Sequence, residues 1–463
     1  MAGASAGAGA PADAPAGLRG EILATLTLAL PIAVALLAEM AMVVANTVQI
    51  GALGGIELGA GGLAAQFLFT PELIGIGVLT ASGAIAAQAV GAGDKAKLVD
   101  AIAQGVRVAL VITVPGLLFL ALIPSLLRAI GHEPQVVALI ADYLWAGAIG
   151  LPAAMVVAAL RNLLLAMARP RFITVLMVGA VVVRIGLNDL LIHGRLGLPA
   201  LGVRGAGLAG SLTYLAMLAT LAAYIGLTPR YRGYRVLQAL GRPHWPVFRE
   251  ILRVGWPTAL VLAAENGLFM ATGTLIGLFG PDPLAAHQIV VTITAVTFML
   301  PLSLSQAATV RVGHAVGAGR GDRVRLVGGT AIGLGTAWMI LSATTLTLVP
   351  RLIVGGFIET ADAANAAVVA ISLQLLPIAA LFQVFDGLQV VASGALRGLK
   401  DTRVPAVIGI FGYWAIGLTI GALLAFTLGL GPTGLWWGLA LGLFTSGLLL
   451  TWRFHRRSVR RAA

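Results

Sequence analysis

The chain has no cysteine, which excludes disulfides, thiolate nucleophiles and cysteine-held metals together. Charge is almost as scarce. Only 10% of residues are Asp, Glu, Lys or Arg, against about a quarter in soluble domains. The six histidines are scattered without zinc-like spacing, and no glycine-rich loop ends in the Lys-Ser/Thr pair that cradles a nucleoside triphosphate. Short alternating segments of about ten residues, the mark of a transmembrane β-barrel, are also missing.

What fills the sequence is apolar. Hydrophobic residues make up 59% of the 463, and mean hydropathy is +0.97. Apolar runs long enough to cross a bilayer recur twelve times, at roughly 20–46, 60–84, 101–127, 137–166, 172–193, 205–228, 250–278, 283–309, 326–350, 364–394, 404–428 and 434–452. The fold class is therefore all-α: an integral membrane protein of twelve transmembrane helices. Residues 1–18, "MAGASAGAGAPADAPAGL", are of low complexity and read as a disordered tail without the charged and apolar regions of a signal peptide. The longest hydrophilic stretch, 228–250, divides the chain. The expected organisation is an N lobe over 19–228, an inter-lobe loop over 229–249, a C lobe over 250–453 and a basic tail over 454–463.

Arginine outnumbers lysine 27 to 3, as in GC-rich bacterial genomes, and the net charge is +12. Its distribution excludes nucleic acid as the reason. Lys95, Lys97, Arg169, Arg171, Arg230, Arg320, Lys400 and the tail "RFHRRSVRR" fall on one side, while Arg128, Arg195, Arg204 and Arg351 fall opposite. The positive-inside rule makes the richer side cytoplasmic, with both termini there, in a bacterial inner membrane. The tail is placed to touch anionic lipid headgroups.

The halves echo each other. "ASGAIAAQAVGAGDK" (81–95) and "AATVRVGHAVGAGRG" (307–321) share "VGAG" at an offset of 226 residues, with Gln88 opposite His314. "LGLPALGVRGAG" and "LGLGPTGLWWG" repeat at an offset of 232. Six spans separate the copies, so the lobes are parallel repeats, a transporter architecture with its cavity between them. "GAGLAG" (205–210) matches a dinucleotide-binding glycine pattern, but it lies inside a span, where small residues serve close helix packing.

Ionisable groups inside the spans are the candidate site, because charge at the bilayer centre costs about 2.5–3.5 kcal/mol even on insertion scales. They are Glu39, Arg184, Glu265 and Asp386. Gln383, Asp386, Gln389 and Ser393 follow steps of three, three and four and share one helix face. Asn266 adjoins Glu265, and Asn188 lies one turn after Arg184.

The stretches "AAHQIVVTITAVTFMLPLSLSQAATVRVGHAVGAGR" (285–320), "FQVFDGLQVVASGALRGLKDTRVP" (382–405) and "VVVRIGLNDLLIHGRLGLPALGVRGAG" (181–207), with "AEN" at 264–266, resemble the multidrug and toxic compound extrusion (MATE) family, bacterial NorM-like branch. The resemblance covers all twelve spans. It implies an antiporter, not an enzyme, whose two pseudo-symmetric six-helix lobes form a V-shaped cavity. Such a protein expels small organic, often cationic, compounds as protons or sodium enter, without a resident cofactor. By position, Glu265 and Asp386 correspond to the C-lobe carboxylates that bind the coupling cation, and they would be metal ligands only in a sodium-coupled protein.

Three positions depart from the family. Asn46 stands for an N-lobe aspartate, Arg184 for an asparagine, and Phe382 for a tyrosine near the C-lobe aspartate. These changes argue against an N-lobe cation site and favour protons over sodium. An unpaired guanidinium in the N lobe would be costly, so the sequence predicts a buried Glu39–Arg184 ion pair, with an anion-receiving Arg184 as the alternative. Two other readings stay open: a flippase for lipid-linked precursors, and an intramembrane enzyme acting on lipid-linked substrates. The expected partners are the organic substrate and membrane lipid, with the protein acting as a monomer.

Overall fold

In lipid every backbone N–H and C=O must be satisfied within the chain, so apolar segments of this length become helices. The computed structural model describes residues 17–462. Of the tail expected to be disordered over 1–18, residues 1–16 lie outside them, whereas Gly17 and Leu18 already belong to the first helix. The spans are α1 (Gly17–Gly51), α2 (Gly55–Gly91), α3 (Lys95–Ile130), α4 (Pro134–Ala148 and Leu151–Ala166), α5 (Arg171–His193) and α6 (Gly202–Leu227), followed by α7 (Trp245–Gly277), α8 (Pro281–Gly317), α9 (Gly321–Leu348), α10 (Ala366–Gly398), α11 (Arg403–Thr427) and α12 (Pro432–Ala462). Eleven are single helices long and apolar enough to span. The twelfth, α4, is bent by 44° between its two segments. Gly150 lies at that break, and a side chain there would run into Ser211 of α6.

The helices outrun the expected spans because hydropathy marks the hydrocarbon layer and not the helix. At 1.5 Å per residue, the 37 residues of α2 and of α8 extend about 55 Å, well past a ~30 Å core. The stretch expected as a basic tail is helical too, as the continuation of α12. Phe454 is buried against Gly328 of α9, Ser458 is buried, and Asp401 pairs with Arg453 at 2.8 Å and with Arg457 at 3.2 Å. Cations at a helix C-terminus are favourable in any case. The inter-lobe stretch holds two short helices, Pro229–Arg232 and Val236–Ala239, and is tied to α3. Arg107 donates to the Leu240 carbonyl at 2.6 Å, and Gln104 to that of Arg242 at 3.1 Å.

The lobes meet at the end where the basic loops gather, and the repeated "VGAG" makes the joint. A Cβ on Gly91 of α2 would run into the His314 backbone of α8, and one on Gly317 of α8 into the Gln88 backbone of α2. Side-chain bonds cross in the same reciprocal fashion. Gln88 donates to the Gly398 carbonyl of α10 at 2.8 Å, and His314 Nε2 lies 2.6 Å from the Ala166 carbonyl of α4. Ala166 and Gly398 are 232 residues apart, the offset of the weaker repeat. Beside this joint, Glu21 of α1 is fully buried and pairs with Arg311 of α8 and, at 3.7 Å, with Arg323 of α9. Further along, α2 packs on α7 through Gly77 against Ala259 and Gly255 against Val78.

Candidate functional site

The C lobe brings Glu265 and Asp386 into one constellation. Glu265 of α7 is half-buried, and Asp386 of α10 is 7% exposed. Tyr413 of α11, buried to 1%, joins them. Its hydroxyl donates to Glu265 Oε2 at 3.3 Å and accepts from Gln389 Nε2 at 2.8 Å, while both carboxylates act on it electrostatically. The oxygen expected to be missing with Phe382 therefore comes from a different helix. α11 positions it by an unusual local structure: residues Phe411–Leu418 form a π-helix, a form that often marks functional sites. The wide turns are braced by Trp414 Nε1, which donates to the Ala264 carbonyl at 3.1 Å, and by glycines 417 and 421 packed on Gly438 of α12.

Two acceptors here have no donor. Asp386 Oδ1 and Gln389 Oε1 are buried without a hydrogen-bond partner, and such atoms are costly unless something fills the gap. Gln383 is spent elsewhere, accepting from Thr297 at 2.9 Å and donating to Ser342 at 3.1 Å. The expected polar stripe thus faces the interior of the C lobe, with Ser393 at its half-buried end. Asn266 lies partly exposed with its amide 3.7 Å from Met270 Sδ, which Gln66 of α2 reaches from the other lobe at 3.9 Å.

The N lobe differs in kind. Asn46 Oδ1 accepts from Arg184 Nη2 at 2.9 Å and from Asn188 Nδ2 at 3.2 Å, and Asn188 also donates to Gln49 at 2.9 Å. The guanidinium is seated over Gly210 of α6, where any side chain would collide with it. The expected ion pair with Glu39 is not among those formed by the described residues. Its direct partner is the Asn46 amide, because Glu39 is nearly two turns away on the same helix. Glu39 instead shares an electrostatic cluster with Arg184, Tyr214 and Glu72. Glu72, directly after Pro71 in α2, was missed in the sequence although it carries the same signal as the others, an ionisable residue inside a span. Glu21 was missed as well, because at the start of the first apolar run it reads as an ordinary flanking charge.

The sequence matches the MatE family over residues 31–190 and again over 257–423. The two stretches start 226 residues apart, at the offset of the "VGAG" repeat. The chain belongs to the MATE family. Within it, the NorM proteins are similar along nearly their whole length. A probable multidrug resistance protein NorM from Burkholderia mallei is 40% identical over 435 residues, covering 94% of this chain and 92% of that one. A probable multidrug resistance protein NorM from Pseudomonas aeruginosa is 38% identical over 440 residues, covering 95% and 90%. The fold matches a multidrug resistance MATE transporter solved in an outward-facing conformation, with TM-score 0.86, 19% identity and coverage of 96% and 97%. It matches a MOP-superfamily transporter from Pyrococcus furiosus equally well, with TM-score 0.86, 19% identity and coverage of 96% and 98%. This MATE protein is thus a NorM-like transporter and not an enzyme.

Proposed function

We propose that the protein exports small organic, predominantly cationic compounds in exchange for an inward-moving cation, by alternating access of its two lobes. The orphaned acceptors Asp386 Oδ1 and Gln389 Oε1 carry this reading. A buried carboxylate with no donor is costly when empty and relieved when a cation arrives, so occupancy biases the two lobe arrangements. Glu265 and Asp386 hold the cation, and Tyr413 and Gln389 orient Glu265. The NorM names of the relatives support the multidrug class of substrate.

Coupling rests in the C lobe alone. In the N lobe, the oxygen that would face a mobile cation already faces the tethered one of Arg184. The coupling ion is read as a proton, since Tyr413 uses its only hydrogen on Glu265 and one proton on Asp386 satisfies its free oxygen. Sodium is the second reading, favoured by Gln389 Oε1 as an additional free ligand. The basic end is taken as cytoplasmic and the protein as a monomer of a bacterial inner membrane.

Dye export by reconstituted vesicles under imposed pH or sodium gradients tests the scheme. Asp386→Asn and Glu265→Gln should each abolish gradient-driven export while the protein remains folded. Export at the wild-type rate in both would place coupling elsewhere.

A further inference from the structure

All but two of the half-buried lysines and arginines among the described residues have a partner in the chain. Arg107 bonds to a carbonyl and Arg184 to an amide, Arg311 and Arg323 pair with Glu21, Lys400 pairs with Glu250, and Arg453 with Asp401. The exceptions are Arg161 of α4 and Arg397 of α10. Both are half-buried, and neither guanidinium makes a hydrogen bond or an ion pair among the described residues. A guanidinium withdrawn from water without an acceptor costs stability. Its presence at two places calls for a use.

Both lie at the joint that closes the lobes at the basic end. Arg397 immediately precedes Gly398, whose carbonyl takes the bond from Gln88. Arg161 stands five residues before Ala166, whose carbonyl faces His314, about 7.5 Å along the helix axis. Each also lies between the joint and the carboxylates of its own lobe. In the C lobe, Arg397 continues the stripe of Asp386, Gln389 and Ser393 by a further step of four, about 16.5 Å beyond Asp386. In the N lobe, Arg161 acts electrostatically on Tyr214, whose hydroxyl is bonded to Glu72. A cation at a helix C-terminus is favourable in itself, which accounts for Arg397 taken alone. It does not account for the same arrangement in both lobes, nor for Arg161 inside the fourth apolar span.

We propose, building on the cation-coupled exchange above, that Arg161 and Arg397 are the charged seal of the joint and bar cations from crossing it. With the lobes closed at the basic end, a cation that reaches Glu265 or Asp386 from the opposite side has only the joint left to pass. Packed glycine backbones stop a hydrated ion by size, but a proton moves along polar groups and needs no such width. An unneutralised positive charge stops it by repulsion. At about 4 Å from a guanidinium, in surroundings of effective dielectric ~20, a monovalent cation is disfavoured on the order of a thousandfold, and at about 8 Å still about thirtyfold. Arginine suits the task because it stays charged and so cannot pass the proton on itself. A carboxylate partner would cancel the field, which is why both side chains go without one. Arginines exclude cations from membrane pores by the same means. When the lobes part at the basic end, the guanidiniums reach water and the bound cation is free to leave.

The full chain in liposomes, with a trapped pH dye, an imposed pH gradient, a clamped membrane potential and no substrate, tests the seal. The wild type should be tight. Arg397→Gln should raise proton entry at least about tenfold, and adding Arg161→Gln should raise it further, whereas Arg397→Lys stays tight. Chloride entry, read with a trapped chloride-quenched dye, should rise in none of them, since losing a positive charge lowers no barrier to an anion. Neither side chain gives up a bond, so the thermal midpoints of the Gln variants should equal or exceed that of the wild type. Proton entry at the wild-type rate in the double variant would overturn the proposal. So would parallel leaks of protons and chloride, which mark a packing hole, or equal leaks in Arg397→Gln and Arg397→Lys, which mark a role for shape and not for charge. The result is separable from that of the coupling scheme, because the leak is read without substrate: Asp386→Asn should lose export yet remain as tight as the wild type.

Discussion

Replacing Glu21 with Gln removes a negative charge that pairs with both Arg311 and Arg323 across the lobe joint, and the effect can be worked out beforehand. Breaking a buried ion pair by removing one partner costs about 3–5 kcal/mol. The two guanidiniums keep 18% and 19% exposure, so water recovers part of that, and we take ~2–3 kcal/mol for this site. The cluster joins α1 to α8 and α9, so it exists only while the lobes are closed at the basic end. The whole cost therefore falls on that state, and at tenfold per 1.4 kcal/mol the population shifts roughly 30- to 150-fold toward opening. The absence of native cysteine makes the measurement clean. Spin labels on cysteines replacing Arg169 and Arg403, both exposed and one in each lobe at the basic end, report the separation by pulsed electron resonance. A longer-distance population should dominate in Glu21→Gln and recede when Glu21→Arg is combined with Arg311→Glu. Identical distance distributions in the wild type and Glu21→Gln would refute the reasoning.

Two further outcomes follow from the same structure. Tyr413→Phe keeps the ring but leaves Gln389 Nε2 and Glu265 Oε2 without their shared partner, at a cost of about 1–3 kcal/mol; gradient-driven export should drop several-fold, and export at the wild-type rate would remove Tyr413 from the site. Gly210→Ala should lower stability by about 1–3 kcal/mol through collision with the Arg184 guanidinium. Adding Arg184→Gln should recover part of the loss, as a thermal double-mutant cycle would reveal, whereas strictly additive losses would mean that the two residues do not share a seat.

Hydropathy alone carried the twelve spans, because burial in lipid leaves a signal that no tertiary context can erase. Helix ends were not legible. α2 and α12 run well past their apolar cores, and what extends them is packing against other helices, as at Phe454 on Gly328. Glu265, Asp386 and Arg184 stood out because an ionisable group inside an apolar run is rare. Tyr413 did not, since a tyrosine in a span is unremarked until a π-helix turns it toward a carboxylate from another helix. The pairing of Arg184 was misjudged for a similar reason. Helical spacing locates Glu39 and Asn46 on one face of α1, but which of them α5 meets depends on the depth at which the two helices cross. The repeated "VGAG" was visible as a repeat, whereas its work, backbone against backbone across the lobes, became visible only in three dimensions.

That joint has a mechanical consequence. Interdigitated side chains act like gear teeth, and moving one helix past another means lifting each tooth out of its socket. At Gly91 and Gly317 there are no teeth. Two smooth backbones in contact can roll, and the reciprocal bonds of Gln88 and His314 end on carbonyls at the last turns of α10 and α4, where a shift of angle tears no helical ladder. The glycines are thus suited to act as a bearing, and in the alternating-access scheme proposed above the lobes would swing about an axis close to it. A single methyl on either glycine would be a wedge in that bearing, opposing such a swing without touching a carboxylate.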